Sequence, residues 1–384
     1  MHSVETAPLR DQRALFELPE EIAYFNTANM SPLLRSVREA GRRALERRAQ
    51  PWKISAADWF EDVERLRESF ASLANVSADG VALVPASSYG LAVASRNLGA
   101  ASGDEVIVLA DEYPSNFHTW RRFTRRTGAR LVVVEPEQGQ SWSDATLARI
   151  GDRTRVVAVP NVHWTNGALV DLPPVAAAAR EAGAALCVDA SQSLGALPLD
   201  LERLGVDFVV AAGYKWLLGP LSVGYLYVAE QHRDGEPLEE NWINRAGSDD
   251  FAALVDYSAE YAPGARRFDV GERTNFGLVP MAIAGLEQLL EWGVEEVADA
   301  LRRTTGEIGR RVEAQGLTVP PADQRGPHML GIELPREVAQ RIEASLGERG
   351  VVASVRGASL RISPHLNVTD ADVERLADGL AAAL

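Results

Sequence analysis

VDASQSLGALPLDLERLGVDFVVAAGYKWLLGPLSVGYLYV, residues 188–228, holds the alternation that decides the fold. An apolar run (ALCV, 185–188) ends at Asp189, and an amphipathic stretch follows at 198–204. A second apolar run, DFVVA at 207–211, leads into Gly-Tyr-Lys, and a third, VGYLYV at 223–228, closes the block. Short β-branched runs separated by helical stretches read as buried strands of a largely parallel sheet covered by helices on both faces. The same alternation continues upstream through VALV (81–84), EVIVL (105–109), LVVV (131–134) and RVVAV (155–159). Amphipathic segments at 87–98, 115–128 and 171–182 lie between them.

Downstream of about residue 265 the pattern changes. Long helices over 278–314, broken near Gly293, precede short strands near 329–333 and 359–363. A helix follows each, over 335–348 and 370–383, with Thr369 and Asp370 as caps of the last. The expectation is an α/β protein in three parts. An N-terminal arm spans 1–19, a large domain with a mostly parallel central sheet 20–265, and a smaller α+β C-terminal domain 266–384.

Composition narrows the functional classes. The 384 residues carry a formal charge of −15 and are 46% hydrophobic. There is ample material for a core, and an acidic chain has no electrostatic case for nucleic acid or an anionic membrane as partner. One cysteine forbids an intrachain disulfide and a multi-cysteine metal site, and none of the six His shows ligand spacing, so no metal is expected. The start, MHSVETAPLRDQR, is too charged for a secretory signal, and no uncharged apolar stretch approaches the ~18 residues of a membrane span. The reading is a cytoplasmic protein.

The basic residues are unevenly divided: only Lys53 and Lys215 are lysines, and the rest are arginines. Genomic base composition explains the bias, but it makes a surviving lysine informative. A lysine needed as an amine nucleophile cannot become arginine, which is always protonated. Lys53 sits among polar residues in QPWKIS, Lys215 among apolar and small ones in AAGYKWLLGP. Ligands of an open parallel sheet bind beyond the carboxyl ends of its strands. Ser87, Ser88, Tyr89 and Gly90 follow one strand, and Glu112 through Asn116 the next. His163, Trp164 and Thr165 follow a third, Asp189, Ser191 and Gln192 a fourth, and Tyr214 and Lys215 a fifth.

This constellation, with the 188–228 block as its strongest part and YFNTANMSP near residue 24 as a looser one, resembles the class V aminotransferase family of pyridoxal 5′-phosphate (PLP) enzymes of fold type I. Cysteine desulfurases, kynureninases and isopenicillin N epimerases are among its relatives. The resemblance implies PLP as cofactor, Schiff-base chemistry at Lys215, and Asp189 on the pyridine nitrogen. It also implies Gln192 on the ring's 3′-oxygen and Ser87, Ser88 and Tyr89 as a phosphate cup at a helix start. Tyr113 would lie on the pyridine face. Tyr214 would reach the phosphate, and one of His163 and Trp164 would touch the ring. Arg361, in ASLRISPHLN, matches the arginine that grips a substrate's α-carboxylate, for which a guanidinium fork suits two oxygens.

GERTNFG, residues 271–277, resembles a segment that crosses a dimer interface, with Thr274 or Asn275 reaching the partner's phosphate. Trp242, in ENWIN, resembles a tryptophan that kynureninase-like relatives bring to the same phosphate, and as a lone Trp it also suits a core. A homodimer with shared sites is therefore expected. One departure matters. Where desulfurases carry a nucleophilic cysteine, this chain reads GVVASVRGASLRIS, with Arg356 in its place, positioned to meet a second anionic group of a substrate or to face solvent. The only thiol, Cys187, lies inside a strand run. The implied activity is on an α-amino acid through Cα deprotonation. An aminotransferase comes first, with a β-eliminating C–S or C–C lyase or an epimerase sharing the same residues. A non-enzymatic relative should have lost Lys215 or Asp189, and a nicotinamide dehydrogenase should show G-x-G-x-x-G after an early strand, which is missing.

Overall fold

The computed structural model describes residue 9 and residues 11–384. Twelve strands run in chain order: β1 (Ala23–Tyr24), β2 (Val81–Val84), β3 (Glu105–Leu109), β4 (Arg130–Val134), β5 (Thr154–Pro160), β6 (Ala185–Asp189), β7 (Phe208–Ala212), β8 (Gly224–Val228), β9 (Leu330–Glu333), β10 (Val351–Val352), β11 (Ser354–Arg356) and β12 (Ser359–Ile362). Seven form the central sheet in the order β2-β8-β7-β6-β5-β3-β4. The pairs from β4 through β7 are parallel. β8 runs antiparallel between β7 and β2. The loop 213–223 before it contains no helix to carry the chain back, so the strand returns beside its predecessor.

Alternation along these strands feeds two cores. Ile107, Leu109, Val157, Val159, Leu186 and Val188 face one layer. Val106, Val108, Val156, Ala158 and Cys187 face the other. Each fully buried aliphatic side chain contributes roughly 1.5–3 kcal/mol, so a strand buried on both faces is strongly fixed in register. Gly195, with φ +95°, closes the turn after Asp189 so tightly that a Cβ would collide with the Trp216 carbonyl. Only glycine lets the Asp189 loop lie against the Lys215 loop.

A third core serves the three-stranded antiparallel sheet β11-β12-β9 and its helices Arg336–Glu348 and Asp370–Ala383. Thr369 caps the last helix in a capping box with Asp372. The helices Val279–Trp292 and Val294–Glu313 are broken at Gly293, where φ is +77°. The division drawn at 265/266 falls before helix Val279–Trp292, whose Val279, Ala282, Ile283 and Leu286 belong to the core of the large sheet. Ile308 and Val312, further along, belong to the small core. Ala23 and Phe25 also lie in the small core, because β1 pairs in parallel with β10. Strands of two or three residues show no period in a sequence, so β1, β10 and β11 were not expected. Residues 1–8 and 10 of the expected arm lie outside the described residues. Arg13 pins the remainder by an ion pair to Asp372 at 2.8 Å.

Candidate active site

The carboxyl ends of β5, β6 and β7 open into one cavity of ≈ 290 Å³. Eight residues for which the resemblance implies a cofactor role line it: Ser87, Ser88, Tyr113, Trp164, Asp189, Gln192, Tyr214 and Lys215. Lys215 is 6% exposed and forms no ion pair among the described residues. Its Nζ stands 5.2 Å from the Tyr113 ring centroid and 5.7 Å from that of Tyr214. Burial pulls its amine down to about 8, Arg361 and Arg356 push the same way, and Asp189 opposes them. Lys53, by contrast, is exposed. The scarce lysine in apolar surroundings is the buried one.

Asp189 ends β6 and accepts the Ser191 amide at 3.0 Å. Ser191 Oγ in turn accepts the Ala212 amide at 3.1 Å and lies 2.9 Å from Ser87 Oγ. That one hydroxyl joins the ends of β6 and β7 to the start of helix Ser87–Asn97. No side chain caps this helix start. Its free N–H groups and two serine hydroxyls therefore face the cavity as an anion site. Gln192 is buried, with Oε1 accepting from Trp216 Nε1 at 2.8 Å and Nε2 donating to Ala28 O at 3.0 Å. One amide hydrogen is left for a ligand. Trp164 packs edge-on against Tyr113 at 5.4 Å and donates to Asp111 O at 2.7 Å. His163 is turned away, stacked on Trp142, with its Nε2 3.1 Å from Ala110 O. Trp164 is the member of that pair at the cavity.

Six expected residues are not part of its lining: Tyr89, Trp242, Thr274, Asn275, Arg356 and Arg361. Tyr89 projects from the next part of its helix toward Glu239, and the phosphate-cup expectation for its side chain is corrected accordingly. Trp242 packs edge-on with Trp59 and Phe251. Thr274 donates to Trp59 O at 2.5 Å, and Asn275 Oδ1 accepts the amides of Gly277 and Leu278. Their segment is held to β2 by Asp269, which accepts the Leu83 amide and pairs with the buried Arg67 at 2.7 Å. Arg361 is buried beside a cavity-lining residue, donating to Trp164 O at 2.6 Å, with Nε unpartnered. Burial and the neighbouring Arg356 pull its guanidinium down to about 9.

Glu112 had no role assigned from sequence. It lines the cavity, its Oε1 accepts the Tyr113 amide at 2.6 Å, and its Oε2 is buried without a partner. Burial and Asp189 push its carboxyl up to about 8. Asn26 and Asn29 were also missed, although YFNTANMSP was noticed. Nothing local marks them, because their part depends on a turn brought in by β1. No cluster of three or more metal-ligating side chains occurs among the described residues, and no helix there is long and apolar enough to cross a membrane.

A buried, unpaired amine facing a strand-end carboxylate, beside an uncapped helix start, defines a site for an anionic cofactor that condenses with a lysine. Comparison with known proteins gives that class a family. The sequence profile described as Aminotransferase class-V matches residues 40–376, and the chain belongs to this family of PLP-dependent enzymes. An uncharacterized aminotransferase, YcbU of Bacillus subtilis (strain 168), is 29% identical over 85% of each chain. Isopenicillin N epimerase of Streptomyces clavuligerus is 28% identical over 98% of each. Among solved structures, a C-DES mutant with glycine covalently linked to the PLP cofactor superposes with a TM-score of 0.87 at 20% identity, covering 96% of this chain and 99% of that one. That likeness supports the fold.

Proposed function

We propose that this enzyme transforms an α-amino acid, with Lys215 as the catalytic amine and transamination as the reaction. The observation that carries the reading is the placement of Lys215 at the ends of β6 and β7: buried, without an ion-pair partner among the described residues, and with its amine pulled down to about 8. Asp189 would hold the cofactor's pyridine nitrogen, and the free amide hydrogen of Gln192 its 3′-oxygen. Ser87, Ser88 and the uncapped helix start would hold its phosphate, with Tyr214 beside them. Tyr113 and Trp164 would flank its ring. The residues present fit the group: an anion site, a strand-end carboxylate and a buried amine without an ion-pair partner among the described residues meet in one cavity.

Bound PLP supplies an electron sink for charge developing at the substrate's Cα. Lys215 Nζ takes the Cα proton as general base and later returns a proton, and the carbon that receives it sets the product. Arg361 holds the α-carboxylate as a planar fork whose charge no acidic side chain among the described residues offsets. Kinship with YcbU over most of both chains supports transamination. Epimerisation and β-elimination are the alternative outcomes. Cys187 is buried within β6, facing away from the cavity, so no enzyme thiol enters the reading.

Trp242, Thr274 and Asn275 lie away from their own cavity, and we assign them to the cavity of a second copy in a homodimer. Support comes from the apolar surface beside them, where Trp52 is 77% and Tyr257 88% exposed. Borohydride treatment of the yellow protein should fix the cofactor onto Lys215, and Lys215→Ala should lose the visible band. Label recovered on another residue would sink the assignment. Incubation with a panel of amino acids in deuterated water then separates the reactions. Transamination stalls until a keto acid is added. Elimination releases ammonia and pyruvate without one, and epimerisation yields deuterated substrate of inverted configuration.

A further inference from the structure

The hairpin β11–β12 carries more positive charge than one carboxylate needs. Its register pairs Ser354 with Arg361 and Arg356 with Ser359. Residues 354, 356, 359 and 361 therefore share one face, while Val355 and Leu360 turn into the small core. Arg356 and Arg361 are diagonal neighbours on that face, with ~7–8 Å between them.

Both guanidiniums reach the same turn. Arg361 Nη2 lies 3.5 Å from Asn26 Oδ1, and Arg356 Nη2 lies 3.3 Å from Asn29 Oδ1. The Asn29 amide donates to Asn26 O at 3.0 Å, closing the turn. This turn is tied to the cavity from two sides. Ala28 O accepts from Gln192, and the Ser31 amide donates to Tyr214 O at 3.1 Å. The two arginines are thereby tied, through this turn, to the walls of the cavity containing Lys215, whose amine both of them depress.

Neither arginine has an acidic partner among the described residues, although the chain has 54 acidic residues for 39 basic ones. Two adjacent cations left unpaired beside a cavity, one of them fully buried, mark a place for anions supplied from outside. Arg361 accounts for one anion, the α-carboxylate.

We propose that Arg356 receives a second anion at the end of the substrate's side chain, so that the substrates are α-amino acids with short side chains ending in a carboxylate. This inference rests on the proposed function. The diagonal spacing suits such a molecule, because a guanidinium fork at each end extends the reach between the two acidic groups. Arg356 is half-buried, and its guanidinium donates to Asn29 Oδ1 on the turn that Gln192 and Tyr214 tie to the cavity. An uncharged amide of the same shape leaves Arg356 without its charge partner, and discrimination arises there.

The test titrates the holoenzyme with L-aspartate, L-asparagine, L-glutamate and L-glutamine and follows the cofactor's absorbance to obtain apparent Kd values. The expected ratio of amide to acid Kd is at least tenfold in the wild type. It should collapse to within twofold of unity in Arg356→Gln and be partly kept in Arg356→Lys. Arg361→Gln should weaken acid and amide alike and leave the ratio standing. A wild-type ratio near one, or a ratio that survives Arg356→Gln, overturns the proposal. If borohydride has fixed the cofactor on Lys215 and the ratio is flat, this inference alone falls. If Lys215 is not labelled, the proposed function falls first and takes this one with it.

Discussion

The ammonium nitrogen of Lys215 faces the Tyr113 ring at 5.2 Å, with no carboxylate of the described residues within ion-pairing distance. A cation–π contact offsets only ~0.5–2 kcal/mol of the cost of burying a charge, so burial shifts the balance toward the uncharged amine. Its pKa of about 8 sits below the ordinary lysine value of 10.5. The neutral form is the reactive one. With the cofactor removed, the rate at which added pyridoxal phosphate condenses with the protein should rise with pH and be half-maximal near 8. Stopped-flow absorbance across pH 6–11 measures it, and a midpoint near 10 would contradict the burial argument.

Arg361 is held by a single strong bond to Trp164 O, with its Nε free. Arg361→Ala should weaken α-amino acid binding by ~2–5 kcal/mol, as when one partner of a buried charge pair is removed. Amines lacking the α-carboxylate should bind as before. Spectral titration of both groups of ligands decides it. Unchanged amino-acid affinity would mean that the substrate lies elsewhere.

The aromatic cluster around Trp242 predicts assembly. Sedimentation should show a homodimer, and Trp52→Glu should shift it toward monomer by placing a charge on the apolar face. The monomer should also hold the cofactor more weakly if Thr274 or Asn275 serves the other copy. A fully active, fully loaded monomer is the result that would count against shared sites.

His328 and His365 lie buried against Trp216, and burial pulls them down to about 4 and about 3. Both values lie below the unfolded value near 6.5. As pH falls below 6.5 the unfolded chain takes up protons that the native state refuses, so stability is lost between about pH 6.5 and 3. His365 has neither ring nitrogen partnered. His365→Met should therefore remove about 2 kcal/mol of the loss between pH 7 and pH 5. Urea midpoints at the two pH values measure the difference, and an unchanged gap would refute it.

The elements readable in advance were those with a period. β2 through β8 announce themselves as apolar runs, and the strand-end rule then picks out Asp189, Tyr113 and Lys215 before any coordinates exist. Lys215 was further marked by the scarcity of lysine. Asn26, Asn29 and the burial of Glu112 were not readable, because each depends on segments far apart in sequence. β8 was legible as a strand, but its direction was set by a helix-free loop. Thr369 was legible as a cap because a capping box is local.

The parallel pairing of β1 with β10 bears on the order in which the chain is assembled. Ala23 and Phe25 are made before the large sheet, but the strand that covers them is made after it. The large sheet, complete by Val228, can collapse on its own contacts while this early segment waits uncovered. The turn carrying Asn26 and Asn29 is then set against Arg356 and Arg361 only in the last folding step. A nascent or C-terminally shortened chain would have Lys215 in place with nothing to hold an amino acid's carboxylate over it.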